Sequence, residues 1–126
     1  MTRILVMDDD DVFRQALRVI LEGAGYAVAE APDGAAGLRL YHQLGADLVL
    51  VDIFMPAMDG FEVIRALRTQ VPAPHIVAMS GGGAAGQGDV LAIAATLGAA
   101  WTLRKPFTSR ELLDIVRGCL DSRPGG

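Results

Sequence analysis

The sequence predicts an α/β domain built on a doubly wound parallel sheet, and three observations carry that reading. Short apolar runs of strand length alternate along the chain with longer stretches of helical spacing. Three of those runs, residues 4–7, 48–51 and 76–79, are continuously apolar, the mark of strands covered on both faces. The stretches between them are long enough for the helical crossovers that parallel strands require.

Each element has its own signal. The first strand is Ile4-Leu5-Val6-Met7, and Phe13, Leu17, Ile20 and Leu21 then mark one face of a helix. Gly23 and Gly25 suit the end of that helix. A second strand at 27–29 is followed by a helix near 34–43, and a third strand by a helix near 61–70. Asp59 with Glu62, and Thr108 with Glu111, have capping-box spacing and mark two helix starts. A helix near 89–97 follows the fourth strand, and Trp101-Thr102-Leu103 forms the fifth. Leu112, Ile115, Val116, Cys119 and Leu120 line the last helix, which is expected to end near Asp121. The expectation is one domain over residues 1–121 and a flexible tail over 122–126.

Composition narrows the function classes. A chain of 126 residues with net charge −4 and no Lys/Arg run lacks the basic cluster that direct nucleic-acid binding uses. The single cysteine, Cys119, allows no internal disulfide and is expected in the core. The charged start and the short apolar runs predict neither a signal peptide nor a membrane span, so a cytoplasmic protein is expected. His42 and His75 stand singly and argue for no zinc site.

The chemistry gathers where strands end. In an open α/β sheet, ligands bind beyond the carboxyl ends of the strands. The first strand ends in Asp8-Asp9-Asp10-Asp11, the third in Asp52, the fourth in Ser80, and the fifth in Arg104-Lys105-Pro106. The second ends in Glu30-Ala31-Pro32, with nothing convergent expected there. Asp10 and Asp11 read as a solvated helix start. The remaining carboxylates repel unless a cation joins them, and an all-oxygen site with room for water suits Mg²⁺. Lys105 adds a point charge for phosphate, Ser80 a hydroxyl donor, and Asp52 a carboxylate nucleophile toward phosphorus.

Four segments in order carry a resemblance. They are residues 4–10, then Asp52-Ile53-Phe54-Met55-Pro56-Ala57-Met58-Asp59-Gly60, then Met79-Ser80-Gly81, then Lys105-Pro106-Phe107. Together they resemble the receiver domain of two-component response regulators over nearly the whole chain. The resemblance implies a flavodoxin-like (βα)5 fold with strand order 2-1-3-4-5. It implies Asp52 as phosphoacceptor, Ser80 as switch hydroxyl and Lys105 as the phosphoryl-pairing lysine. For Mg²⁺ it implies Asp8, Asp9, Asp52 and the Phe54 backbone carbonyl, with Asp9 a direct ligand and Asp8 acting through water. Gly81 would leave space beside the phosphoryl group, and the Lys105–Pro106 bond is often cis in such domains. The implied partners are a histidine kinase or histidine phosphotransfer protein upstream and an unnamed protein downstream, with no nucleic acid or membrane.

The chain departs from the family pattern in three places. Thr102 stands where an aromatic residue is usual, and Trp101 beside it should point to the opposite face and pack. The glycine-rich segment 81–88, with the Ala-rich helix after it, is expected to be mobile and open to ordering by phosphorylation. Phe54 should partly cover the mouth of the site and can neither orient a water nor act as an acid. That last feature argues against a phosphatase that turns over through an aspartyl intermediate, and for a non-enzymatic switch that loses its phosphoryl group slowly. Two alternatives stand beside the isolated switch: a receiver cut from a longer regulator with an output domain, and a pseudo-receiver that binds partners without phosphorylation.

Overall fold

A computed structural model of the chain describes residues 1–81 and 87–121. The elements run β1 (Arg3–Met7), α1 (Asp11–Gly23), β2 (Ala27–Ala31), α2 (Gly34–Leu44), β3 (Leu48–Asp52), α3 (Gly60–Arg68), β4 (His75–Ser80), α4 (Gln87–Leu97), β5 (Trp101–Arg104) and α5 (Ser109–Asp121). The five strands form one parallel sheet in the order β2-β1-β3-β4-β5. This is the doubly wound architecture and strand order expected above. Residues 82–86, on which the mobile-loop expectation partly falls, and the tail 122–126 lie outside the described residues.

Continuous apolar strands are needed because both faces of the sheet are roofed. Leu5, Met7, Val49, Val51, Ile76 and Ala78 point to one side and pack with Val63, Ile64 and Leu67 of α3 and Ala94 of α4. Their alternating neighbours Ile4, Val6, Leu48, Leu50, Val77 and Met79 point to the other. There they meet Leu17 and Leu21 of α1, and Leu112, Val116 and Cys119 of α5. The two-residue strand period thus divides each run between two cores. Among the described residues, no helix is long and apolar enough to cross a membrane.

Caps set the helix starts that frame the site. Asp10 accepts the Phe13 N–H at 3.1 Å, which makes the acidic run a helix start in its third residue. Asp59 accepts the Glu62 N–H at 3.0 Å. Thr108 and Glu111 form the reciprocal pair, at 3.0 and 2.9 Å. Gly60 begins α3 against the end of β3, where an added Cβ would lie 2.6 Å from the Ile53 Cα and 2.7 Å from the Asp52 carbonyl oxygen. Only glycine lets that helix come so close.

On β5 the expected division of faces holds. Trp101 lies toward α5, within 4.0 Å of where a Gly118 Cβ would sit, and is 41% exposed. Thr102 is half-buried, and its neighbour Leu103 is in the α5-side core.

Candidate functional site

The carboxyl ends of four parallel strands lie side by side because the ladder register aligns them. Met7 pairs with Val51, Asp52 with Met79, and Ser80 with Arg104. The next residue along β1 and β5, and the last along β3 and β4, therefore share one edge: Asp8, Lys105, Asp52 and Ser80.

That edge holds a compact charged cluster. Carboxylate oxygens of Asp8, Asp9 and Asp52 lie within 4.8 Å of one another. Lys105 Nζ donates to Asp8 Oδ2 at 2.8 Å and to Asp52 Oδ2 at 3.4 Å. Asp8 is fully buried, Asp52 is 5% exposed, and Asp9 faces solvent. The geometry therefore separates two sheltered acids from one that reaches outward. Asp8 is held at both oxygens, since Oδ1 accepts the Asp10 N–H at 2.9 Å.

Asp52 sits at the end of β3, where the chain turns away toward α3. Its Oδ1 accepts the Phe54 N–H at 3.1 Å. Burial is the main influence on its proton and pushes the carboxyl up to about 6. Lys105 works in the other direction, the charge of Asp8 adds to burial, and the Phe54 N–H opposes it. The group is therefore still mostly ionised at neutral pH, but at a cost.

Ser80 Oγ is the buried side-chain polar atom without a hydrogen-bond partner among the described residues. A buried hydroxyl left so costs about 1–3 kcal/mol, and such atoms are commonly found where something else binds. The adjoining Gly81 presses against Lys105: an added Cβ would lie 2.7 Å from its Cδ. The Lys105–Pro106 bond is cis. Phe54 extends outward, 51% exposed, while Met55 is buried and Met58 packs against the core.

Of the side chains named from the sequence, Asp8, Asp9, Asp52 and Lys105 come together, Ser80 ends the strand between those of Asp52 and Lys105, and Phe54 lies in the loop that follows Asp52. The donor set fits Mg²⁺: the cluster offers oxygen ligands only, and among the described residues no other group of His, Cys, Asp and Glu is placed for a metal.

Four neighbours escape a strand-by-strand reading. The Lys105 ammonium stands 4.2 Å from the centroid of the Phe13 ring, an attraction that helps seat it. Phe13 in turn meets Phe107 edge to face. Arg14 reaches back to the Asp8 carbonyl oxygen at 2.7 Å and to Glu30 at 3.0 Å. Glu30 at the end of β2 is not among the clustered acids; it pairs with Arg14 of α1. The available signal was the Asp10 cap, which puts residues 13 and 14 in the first turn above the acids.

A groove of about 410 Å³ opens at the opposite end of the sheet, between Tyr41, Asp47, Val71 and His75. It contains none of the carboxylate–lysine set.

The chain matches the response regulator receiver domain family over residues 4–117. Protein CcdB of Bacillus subtilis is 38% identical over 117 residues, covering 92% of this chain and 95% of CcdB. The transcriptional regulatory protein CseB of Streptomyces avermitilis is 34% identical over 119 residues, 94% of this chain but only 49% of CseB. Among solved structures, the Vibrio cholerae chemotaxis protein CheY4 is 30% identical, with a TM-score of 0.84 and coverage of 95% of this chain and 99% of CheY4. The chain thus spans nearly all of some relatives and about half the length of others. With the fold, strand order and strand-end cluster, these matches show that the chain belongs to the response regulator receiver domain family of two-component signalling.

Proposed function

We propose that the chain is a phosphoacceptor switch that takes a phosphoryl group on Asp52 from a phosphohistidine of a kinase or phosphotransfer protein. The observation that carries this reading is the sheltered Asp52 carboxylate, flanked by two further acids and one lysine, with the next strand ending in a buried hydroxyl that has no partner among the described residues.

Asp8, Asp9, Asp52 and the Phe54 carbonyl would hold Mg²⁺, which supplies positive charge for the phosphoryl oxygens. The chain's own groups do the rest. The Asp52 oxygen forms the new O–P bond as the N–P bond of phosphohistidine breaks and its electron pair returns to the imidazole. Lys105, now bonded to both Asp8 and Asp52, is within reach to pair with a phosphoryl oxygen on Asp52. Ser80 Oγ has a donor to offer and, among the described residues, no competing bond to give up. Burial of Asp52 limits water, and Phe54 at the mouth has no group to activate one. The product is therefore a lasting mark and not an intermediate of turnover. The signal passes on by protein contact, in the cytoplasm.

The test is incubation with a small phosphodonor such as acetyl phosphate and Mg²⁺, followed by intact mass. One added phosphoryl group that disappears in Asp52→Asn supports the reading. No label from several donors, in a chain that still binds a kinase, would favour a pseudo-receiver.

A further inference from the structure

Arg14 is held in three directions beside the site. Its side chain is 11% exposed, and each of its three nitrogens serves a different acceptor. Nη1 donates to the Asp8 carbonyl at 2.7 Å, Nη2 to Asp11 at 2.7 Å, and Nε to Glu30 at 3.0 Å. Glu30, 16% exposed at the end of β2, takes a second cation: Arg18 Nη1 bonds its other oxygen at 2.6 Å. Arg18 also donates to the Val28 carbonyl at 3.1 Å. A guanidinium held in three directions has little freedom, because its planar fork fixes all its donors at once.

What it grips is the peptide between Asp8 and Asp9. That peptide is where the chain leaves the sheet: the Asp8 N–H still bonds Ala31 of β2 at 3.2 Å, and two residues on Asp10 already caps α1. The orientation of the Asp8 carbonyl therefore sets where the Asp9 side chain emerges, and Asp9 is the exposed acid of the cluster. We propose that Arg14, anchored by Glu30, is a positioning residue that aims the Asp8–Asp9 turn for Mg²⁺. This inference rests on the assignment of Asp8, Asp9 and Asp52 as the Mg²⁺ site.

Charge and position pull in opposite directions here, which makes the inference testable by sign. A guanidinium next to a divalent cation repels it, so by Coulomb's law alone its removal tightens Mg²⁺ binding. If Arg14 acts by holding the turn, its removal weakens binding, by about tenfold or more, as loss of groups that orient ligands commonly does. The experiment is calorimetric titration of Mg²⁺ into wild type, Arg14→Met, Arg14→Lys, Glu30→Gln and the Arg14→Met/Glu30→Gln double variant, with thermal unfolding of each without metal. The Kd is expected to rise in Arg14→Met and to be only partly restored in Arg14→Lys, which keeps the charge but not the fork. Glu30→Gln is expected to weaken binding in the wild-type background and to change it less than twofold in the Arg14→Met background. If Arg14→Met does not fold, the Lys and Gln variants carry the comparison.

An Arg14→Met Kd at or below wild type overturns the proposal. So does a Glu30→Gln effect of equal size in both backgrounds, since Glu30 would then act by its own charge. A wild-type chain with no saturable Mg²⁺ binding overturns this inference and the proposed metal site together. Binding that is saturable but indifferent to Arg14 overturns this one alone.

Discussion

Asp52→Asn should make the metal-free protein more stable at pH 8, although it removes the proposed phosphoacceptor. The carboxyl rises from 3.8 to about 6 on folding, chiefly through burial. An acid with a raised native pKa holds its proton more tightly folded than unfolded. Its contribution is therefore neutral below about pH 4, becomes unfavourable as pH rises through 4 to 6, and is fully unfavourable above. A displacement of about two pH units corresponds to at most about 3 kcal/mol, at 1.36 kcal/mol per unit. Relaxation of the surroundings about the buried charge reduces this to on the order of 1–2 kcal/mol. Asparagine keeps the volume and an oxygen for the Phe54 N–H, so the substitution isolates the charge. Urea unfolding in EDTA at pH 8 and near pH 4 measures it. The variant should gain on the order of 1–2 kcal/mol at pH 8 and nothing near pH 4. Mg²⁺ at pH 8 should narrow the gap by stabilising wild type. A variant less stable than wild type at pH 8, or displaced equally at both pH values, would refute the reasoning.

Other expectations address neighbouring parts of the structure. Phe54→Asn should speed loss of the phosphoryl group several-fold, followed by intact mass after the donor is removed; unchanged rates would deny Phe54 any part in protecting the mark. Gly60→Ala should cost about 2–3 kcal/mol in urea unfolding, because its Cβ would meet backbone at 2.6 Å with nothing flexible to yield. A loss under about 0.5 kcal/mol would mean that α3 can shift freely. Burial pushes the Cys119 thiol up to about 11, so iodoacetamide at pH 8 should modify the folded chain far more slowly than the urea-unfolded one. Similar rates would place the thiol outside the core.

How much of this was legible beforehand differs from residue to residue. Asp8, Asp52, Ser80 and Lys105 could be named because strand ends are marked locally, by an apolar run meeting a polar residue, and parallel strands bring all such ends to one edge. The caps at Asp10, Asp59 and Thr108 were equally local, each spanning three residues. Phe13 was read as helix core and does pack there, but its ring also faces Lys105, which lies far along the chain. Glu30 was not expected to converge on the site. Its bond to Arg14 spans 16 residues and depends on how α1 lies across β2.

By itself, the sequence determined the alternation of elements, the two-faced burial of the strands, and which carboxylates, hydroxyl and ammonium share an edge. These follow from periods of two and 3.6 residues and from the direction of parallel strands, properties written in short stretches of chain. Only the tertiary structure decided that Asp52 is sheltered enough to hold its proton up to about 6, that Ser80 Oγ is left without a partner among the described residues, and that Arg14 grips the Asp8–Asp9 turn. Burial and pairing depend on the distances between elements remote in sequence. Those distances are set by how whole faces pack, and no local pattern contains them.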